Sequence, residues 1–307
     1  MTNKRCRTCW KGVRGARGTC GSPVVVLLLH GLLGSSSSWL PVVKMLEGAQ
    51  FSPGTRELIV ITPDLLGFAD SWTGHRLKSS EFSLSHHMEA LERGLSKLEG
   101  LVEWSQSKML VVGHSFGCVV TVELVARLLN ERSIWTAAPN VLVTSICLLS
   151  PPFFDNPEQA RGLIGGSGAW ALHHPGLAAL QCGFMCHTRC IWTHCVPICQ
   201  TRYPKEVTRD YFRHSYPALK GTVELGVVGH NWDEALSVLR DAFLPGSTLS
   251  IIHGARDQVI PASRARALAK ALPGVGLVIA PSAGHDFPIV IPELVFDWLV
   301  KEIGGFV

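Results

Sequence analysis

The sequence predicts an α/β fold: a mostly parallel sheet flanked by helices, with a helical cap insertion. Three observations carry that expectation. From Pro23 onward short aliphatic runs alternate with longer amphipathic stretches, the runs show little polar alternation, and the pattern breaks once, between Pro151-Pro152 and Asn231. The runs are Val24 to Leu29, Leu58 to Ile61, Met109 to Val112, Val141 to Leu149, Leu249 to Ile252 and Leu277 to Ala280. Helices are expected over Phe82 to Leu98, Phe116 to Asn130, Ser263 to Leu272 and Pro292 to Ile303. In the second, Val119, Val120, Leu124, Val125, Leu128 and Leu129 recur close to the helical period.

This pattern divides the chain into a basic leader (1–22), a first part of the core (23–150), a cap or lid insertion (151–230) and a second part of the core (231–307). Within the insertion, Gly162 to Thr201 holds a single charged side chain, Arg189. A window so poor in charge is unusual for a solvated surface. It is expected to cover something apolar, either an acyl substrate or a peripheral membrane surface. Five of the ten cysteines lie in Cys182 to Cys199. Cys182, Cys186 and Cys190 recur every four residues, which aligns one helix face, and free cysteine packs as a small hydrophobe. A zinc site or a disulfide is the competing reading, although zinc ligands more often come as two closely spaced pairs.

Composition excludes several classes. At 307 residues, 47% hydrophobic and 17% charged, the chain is long enough to bury roughly 75% of its unfolded surface. The 28 basic and 24 acidic side chains give +4, but Lys4, Arg5, Arg7, Lys11, Arg14 and Arg17 all precede Pro23, so the rest carries 22 bases against 24 acids. A slightly acidic body has no footprint for nucleic acid. The longest aliphatic run, six residues, is far short of the ~20 that span a bilayer. The leader lacks the apolar stretch of a secretory signal; its Arg-rich, acid-free bias fits a transit peptide or a disordered leader, and hence a cytoplasmic or organellar protein with reduced thiols.

The strongest chemical signal is Gly113-His114-Ser115-Phe116-Gly117, directly after one expected strand and before a helix. That is the setting of a nucleophile elbow, with Ser115 at a helix N-terminus where developing negative charge is favoured. Ser167, in Gly165-Gly166-Ser167-Gly168-Ala169, lacks the final glycine and a preceding strand and is read as loop. A serine nucleophile needs a base and the base an orienting carboxylate. Reactive groups gather at the carboxyl ends of parallel strands, where His253-Gly254-Ala255-Arg256-Asp257 and Gly284-His285-Asp286 fall. The expected triad is Ser115, Asp257 and His285, with Asp155 as reserve acid. The oxyanion donors are expected to be the amides of Phe116 and of Leu32, in His30-Gly31-Leu32-Leu33-Gly34. Cys118 is read as core, and His86-His87 and His173-His174 as packed or solvated.

With these residues assembled, the chain resembles the α/β-hydrolase superfamily. His30 to Gly34, Pro63-Asp64-Leu65-Leu66-Gly67-Phe68, the serine elbow, His253 to Asp257 and Gly284-His285 match its landmarks in order from Pro23 to Val307. Leu149-Ser150-Pro151-Pro152 and the general spacing add a weaker similarity to esterase and lysophospholipase-like members, including the plant bodyguard type. The resemblance implies a serine hydrolase with a cap after the strand that follows the nucleophile helix, acting on a small-molecule or lipid-like acyl ester without metal or organic cofactor. The same triad also serves acyl transfer and carbon–carbon bond hydrolysis, and the fold also serves non-catalytic binding.

Overall fold

A computed structural model of the chain describes residues 23–49, 57–72, 77–99, 101–130, 132–135, 137, 141–188, 191–192, 195–196, 202–242 and 247–304. The leader expectation (1–22), and Arg189, Cys190 and Cys199 of the insertion, lie outside the described residues.

The strands form where consecutive side chains can be buried on opposite faces. In β1 (Val24–Leu29), Val25, Leu27 and Leu29 enter one apolar layer and Val24, Val26 and Leu28 the other, all of them buried. After it come α1 (Leu40–Gly48), β2 (Leu58–Ile61), α2 (Leu84–Ser96), β3 (Lys108–His114), α3 (Phe116–Leu129) and β4 (Leu142–Leu149). Among the described residues there follow α4 (Pro157–Leu163), α5 (Gly166–His173), α6 (Pro175–His187), α7 (Lys205–Tyr211) and α8 (Tyr216–Gly221), the last running into a π-helical turn, Thr222–Val228. The chain ends with α9 (Trp232–Ala242), β5 (Thr248–Gly254), α10 (Ala262–Ala271), β6 (Gly276–Ala280), α11 (Phe287–Val290) and α12 (Glu293–Ile303).

The six described strands are all parallel, in the order β2-β1-β3-β4-β5-β6. One face of the sheet is covered by α2, α3, α9 and α10, the other by α1 and α12. Because β1 lies between β2 and β3, the chain reverses its direction of growth across the sheet there. The loops leaving β1 and β3 consequently open a crevice at their carboxyl ends.

Three departures from the sequence expectations have local causes. α1 carries only a short apolar stripe, Val42, Val43 and Leu46, behind Pro41, and its helical period is too brief to register. α2 begins at Leu84 rather than Phe82, because Ser79–Phe82 closes a separate 3-10 turn. Ser167 is not in a loop: it lies in the first turn of α5, whose start is anchored by the Gly165 amide donating to Val259 O at 2.8 Å. That tertiary bond overrides the poor helix propensity of a glycine-rich run. Cys182, on α6, is buried with its sulfur 3.8 Å from His214 Nε2, whereas Cys195, beyond the end of α6, is exposed. Among the described residues no helix is long and apolar enough to cross a membrane.

Candidate active site

Ser115 follows β3 and caps α3 with φ +51° and ψ −118°, left-handed backbone that a non-glycine residue adopts only when its surroundings enforce it. The flanking glycines make that turn possible by close approach. A Cβ on Gly117 would stand 2.2 Å from Leu29 O, and one on Gly113 would stand 2.4 Å from Gly117 O. The Cys118 thiol, pushed up by burial and therefore protonated, donates to Gly113 O and Leu149 O at 3.1 and 3.2 Å and ties the turn to the sheet. Gly117→Ala is expected to cost about 3 kcal/mol or more, since the obstructing atom is backbone that cannot rotate away. Gly162→Ala, in α4 with open space around its Cα, should be neutral or stabilise by up to about 1 kcal/mol. Urea midpoints of the two variants measure the difference.

His285, in the loop after β6, donates from Nδ1 to Asp257 Oδ2 at 2.8 Å. Asp257 Oδ1 accepts the amides of Val259 and Ile260 at 2.8 and 2.9 Å. Its side chain is fully buried. Burial alone would raise its pKa, but the hydrogen bond and charge of His285 and the Ile260 amide outweigh it and hold the carboxylate at about 2. Asp155 is elsewhere: it is exposed and meets Gln159 and Arg264. Asp286 pairs instead with Arg202 and Tyr203.

The loop after β1 brings Leu32 to the same place. A Cβ on Gly31 would lie 3.0 Å from Ser115 Cβ, so this loop rests directly on the elbow. Buried His30 shapes it, donating from Nδ1 to Gly31 O at 2.7 Å and accepting the Leu65 amide on Nε2 at 2.8 Å. A cavity of about 150 Å³ is lined by Leu32, Ser115, Phe116 and His285 together with Ile164, Val223 and Val227 of the insertion. An adjoining cavity of about 350 Å³ shares Leu32, Tyr211 and His285 and extends to Tyr203, Val207 and Phe212.

Two histidines have a larger part than their sequence positions suggested. His114 Nε2 donates to the His285 carbonyl at 2.8 Å; burial, then the neighbouring His285, lowers it to about 3, so it stays neutral and fixes the loop rather than exchanging protons. His253, inside β5, donates to Ile260 O at 2.9 Å and lies 3.4 Å from Asp257 Oδ2, bracing the carboxylate turn. A lone histidine in a buried aliphatic strand was the available signal. His87 is packed against Thr222 Oγ1 at 3.0 Å, and among the described residues no group of three His, Cys, Asp or Glu side chains converges as a metal site would.

A family model described as the alpha/beta hydrolase family matches residues 26–298. The chain is 24% identical over 277 residues to "Probable lysophospholipase BODYGUARD 4" of Arabidopsis thaliana, a match covering 85% of this chain and 59% of that protein, so the chain spans less than two thirds of that relative's length. It is 32% identical over 159 residues to the mesoderm-specific transcript homolog protein of Homo sapiens, covering 50% of this chain and 41% of that one. An esterase from Exiguobacterium antarcticum superposes with a TM-score of 0.62 at 14% identity, over 92% of this chain and 93% of the esterase.

Proposed function

This chain belongs to the α/β-hydrolase family, and from that premise we propose that it is a serine hydrolase that cleaves an ester-like acyl substrate with an apolar portion. The observation that carries the proposal is the buried Asp257 carboxylate bonded to His285 Nδ1, in a loop that shares a cavity with Ser115. In this reading His285 Nε2 takes the proton of Ser115 as Oγ attacks the carbonyl. The Leu32 and Phe116 amides hold the oxyanion, and His285 returns the proton to the departing alcohol. Water repeats the sequence on the acyl-enzyme, while Asp257 holds the imidazole tautomer and stabilises the imidazolium. The names of the esterase and lysophospholipase relatives support ester chemistry. Labelling by a fluorophosphonate probe tests the proposal: the parent should label, Ser115→Ala should not, and a parent that remains unlabelled overturns it.

Residues 151–230 act in this reading as a cap, whose Ile164, Val223 and Val227 give the cavity its apolar wall. Each methylene buried there contributes about 0.8 kcal/mol, close to a fourfold gain in kcat/KM. Turnover of p-nitrophenyl esters is therefore expected to rise from acetate across the first several acyl carbons. A preference for acetate would show that these residues do not line the acyl site.

A further inference from the structure

We propose that Asp210 and Arg213 are positioning residues, which hold the loop carrying Leu32 from the inserted segment and so set the oxyanion donor against the reacting carbonyl. The inference rests on the serine-hydrolase reading above. Two clamps outside the loop's own turn hold the chain just beyond Leu32. From the loop after β2, buried Asp64 accepts the Ser36 amide at 2.6 Å and the Asp70 amide at 3.0 Å. From the insertion, Asp210 Oδ2 accepts the Ser35 hydroxyl at 3.0 Å, across 175 residues of sequence. Ser35 Oγ itself accepts the Ser37 amide at 3.1 Å, so Asp210 fixes the residue that caps the turn after Gly34.

Asp210 is in turn held by Arg209 Nε at 3.0 Å and Arg213 Nη1 at 3.2 Å, while Arg213 Nη2 reaches Asp70. The Arg213 carbonyl accepts the amide of Ala69, which sits at φ +44°, and Phe68 forms an antiparallel bridge with His214. One turn of the insertion thus grips the loops after β1 and β2 together. The Asp210 side chain is 6% exposed and Ser35 1%. Asp210 is buried while Arg209, Arg213 and Asp70 keep part of their surface in solvent; partly screened pairs of this kind add little stability, and what they add is a single preferred geometry around the buried carboxylate. Its place is informative: Tyr211 and Phe212, between the two charged residues, line the cavities beside His285. The part of the insertion that meets substrate is therefore the part that holds the oxyanion loop.

The experiment compares Asp210→Asn, Ser35→Ala, Arg213→Gln and Arg213→Lys with the parent, and with Arg132→Gln at an exposed pair with Glu234 as control. Displacing an oxyanion donor by a fraction of an ångström to 1 Å should lower kcat roughly tenfold to hundredfold with KM little changed. Affinity for a trifluoromethyl ketone, whose adduct carries the oxyanion, should fall in parallel, and Arg213→Lys should retain more activity than Arg213→Gln. Hydrogen exchange in the peptide spanning residues 31–37 should speed about tenfold, whether or not the ester is a good substrate. If Asp210→Asn does not fold, Ser35→Ala, which removes one oxygen, decides. Parental kcat and parental exchange in Ser35→Ala and any folded Asp210 variant overturn the inference. Failure of the hydrolase reading is a separate result: a parent that is not labelled at Ser115.

Discussion

Ser115→Ala is expected to lower ester kcat/KM by roughly four to six orders of magnitude, and His285→Ala by a similar amount, because nucleophile and base act as one unit. Asp257→Asn should cost about 10⁴-fold for a reason visible in its partners. The Val259 and Ile260 amides both need an acceptor at the Oδ1 position, so an asparagine there turns its carbonyl oxygen toward them. Its NH2 then faces His285 Nδ1. The imidazole can meet that donor only as an acceptor, which moves its proton to Nε2 and removes the lone pair that must receive the Ser115 proton. Asp155→Asn, at an exposed residue engaged with Gln159 and Arg264, should change turnover by no more than a few-fold. Steady-state kinetics of the four variants on one p-nitrophenyl ester decide the assignment; an Asp155 variant more damaged than the Asp257 variant would reverse it.

The second large effect is on stability in acid. Burial is the leading cause in each of four histidines held neutral: His87 and His114 lowered to about 3, His214 and His230 to about 4. The unfolded chain protonates these rings near pH 6.5, and the folded chain does not until pH falls to about 4 or 3. Between those limits the unfolded state binds more protons, so stability rises with pH and is lost as pH falls. At pH 5 each ring has given up about 2 kcal/mol of stability relative to pH 8. Four such rings together approach the whole stability of an ordinary domain, about 5–15 kcal/mol. Asp257 acts lower down: its folded pKa of about 2 lies below the ordinary carboxylate value of 3.8, so its contribution is present above 3.8 and is lost toward pH 2. The urea midpoint should fall steeply from pH 7 to pH 5, with unfolding in plain buffer near pH 4 to 5. His214→Gln should make that slope shallower by about 1.4 kcal/mol per pH unit. A midpoint that stays flat from pH 7 to pH 5 would contradict the neutral burial of these rings.

What the amino-acid order determined alone is whatever local sterics and twofold burial dictate. The six described strands lie within two residues of their expected limits, because aliphatic runs in the middle of the sheet are buried on both faces, while β6 at its edge is largely exposed and still takes its place by pairing with β5. The elbow was legible for the same reason: a strand, two glycines around a serine, and an apolar helix constrain the backbone within five residues. The order of Ser115, Asp257 and His285 narrowed the site to a few loop ends and named Asp257, with Asp155 in reserve. That Asp257 rather than Asp155 bonds to His285 is visible only in the tertiary structure, because the contact depends on which carboxylate the loop after β5 carries to within 2.8 Å of the ring. The same holds for Ser167, made helical by a bond from Gly165 to a loop more than ninety residues away. It holds most of all for Ser35, Asp210 and Arg213. Their pairing spans 175 residues and has no period, motif or composition bias; it exists because three loops converge at the carboxyl ends of the strands, and convergence is a property of the folded chain.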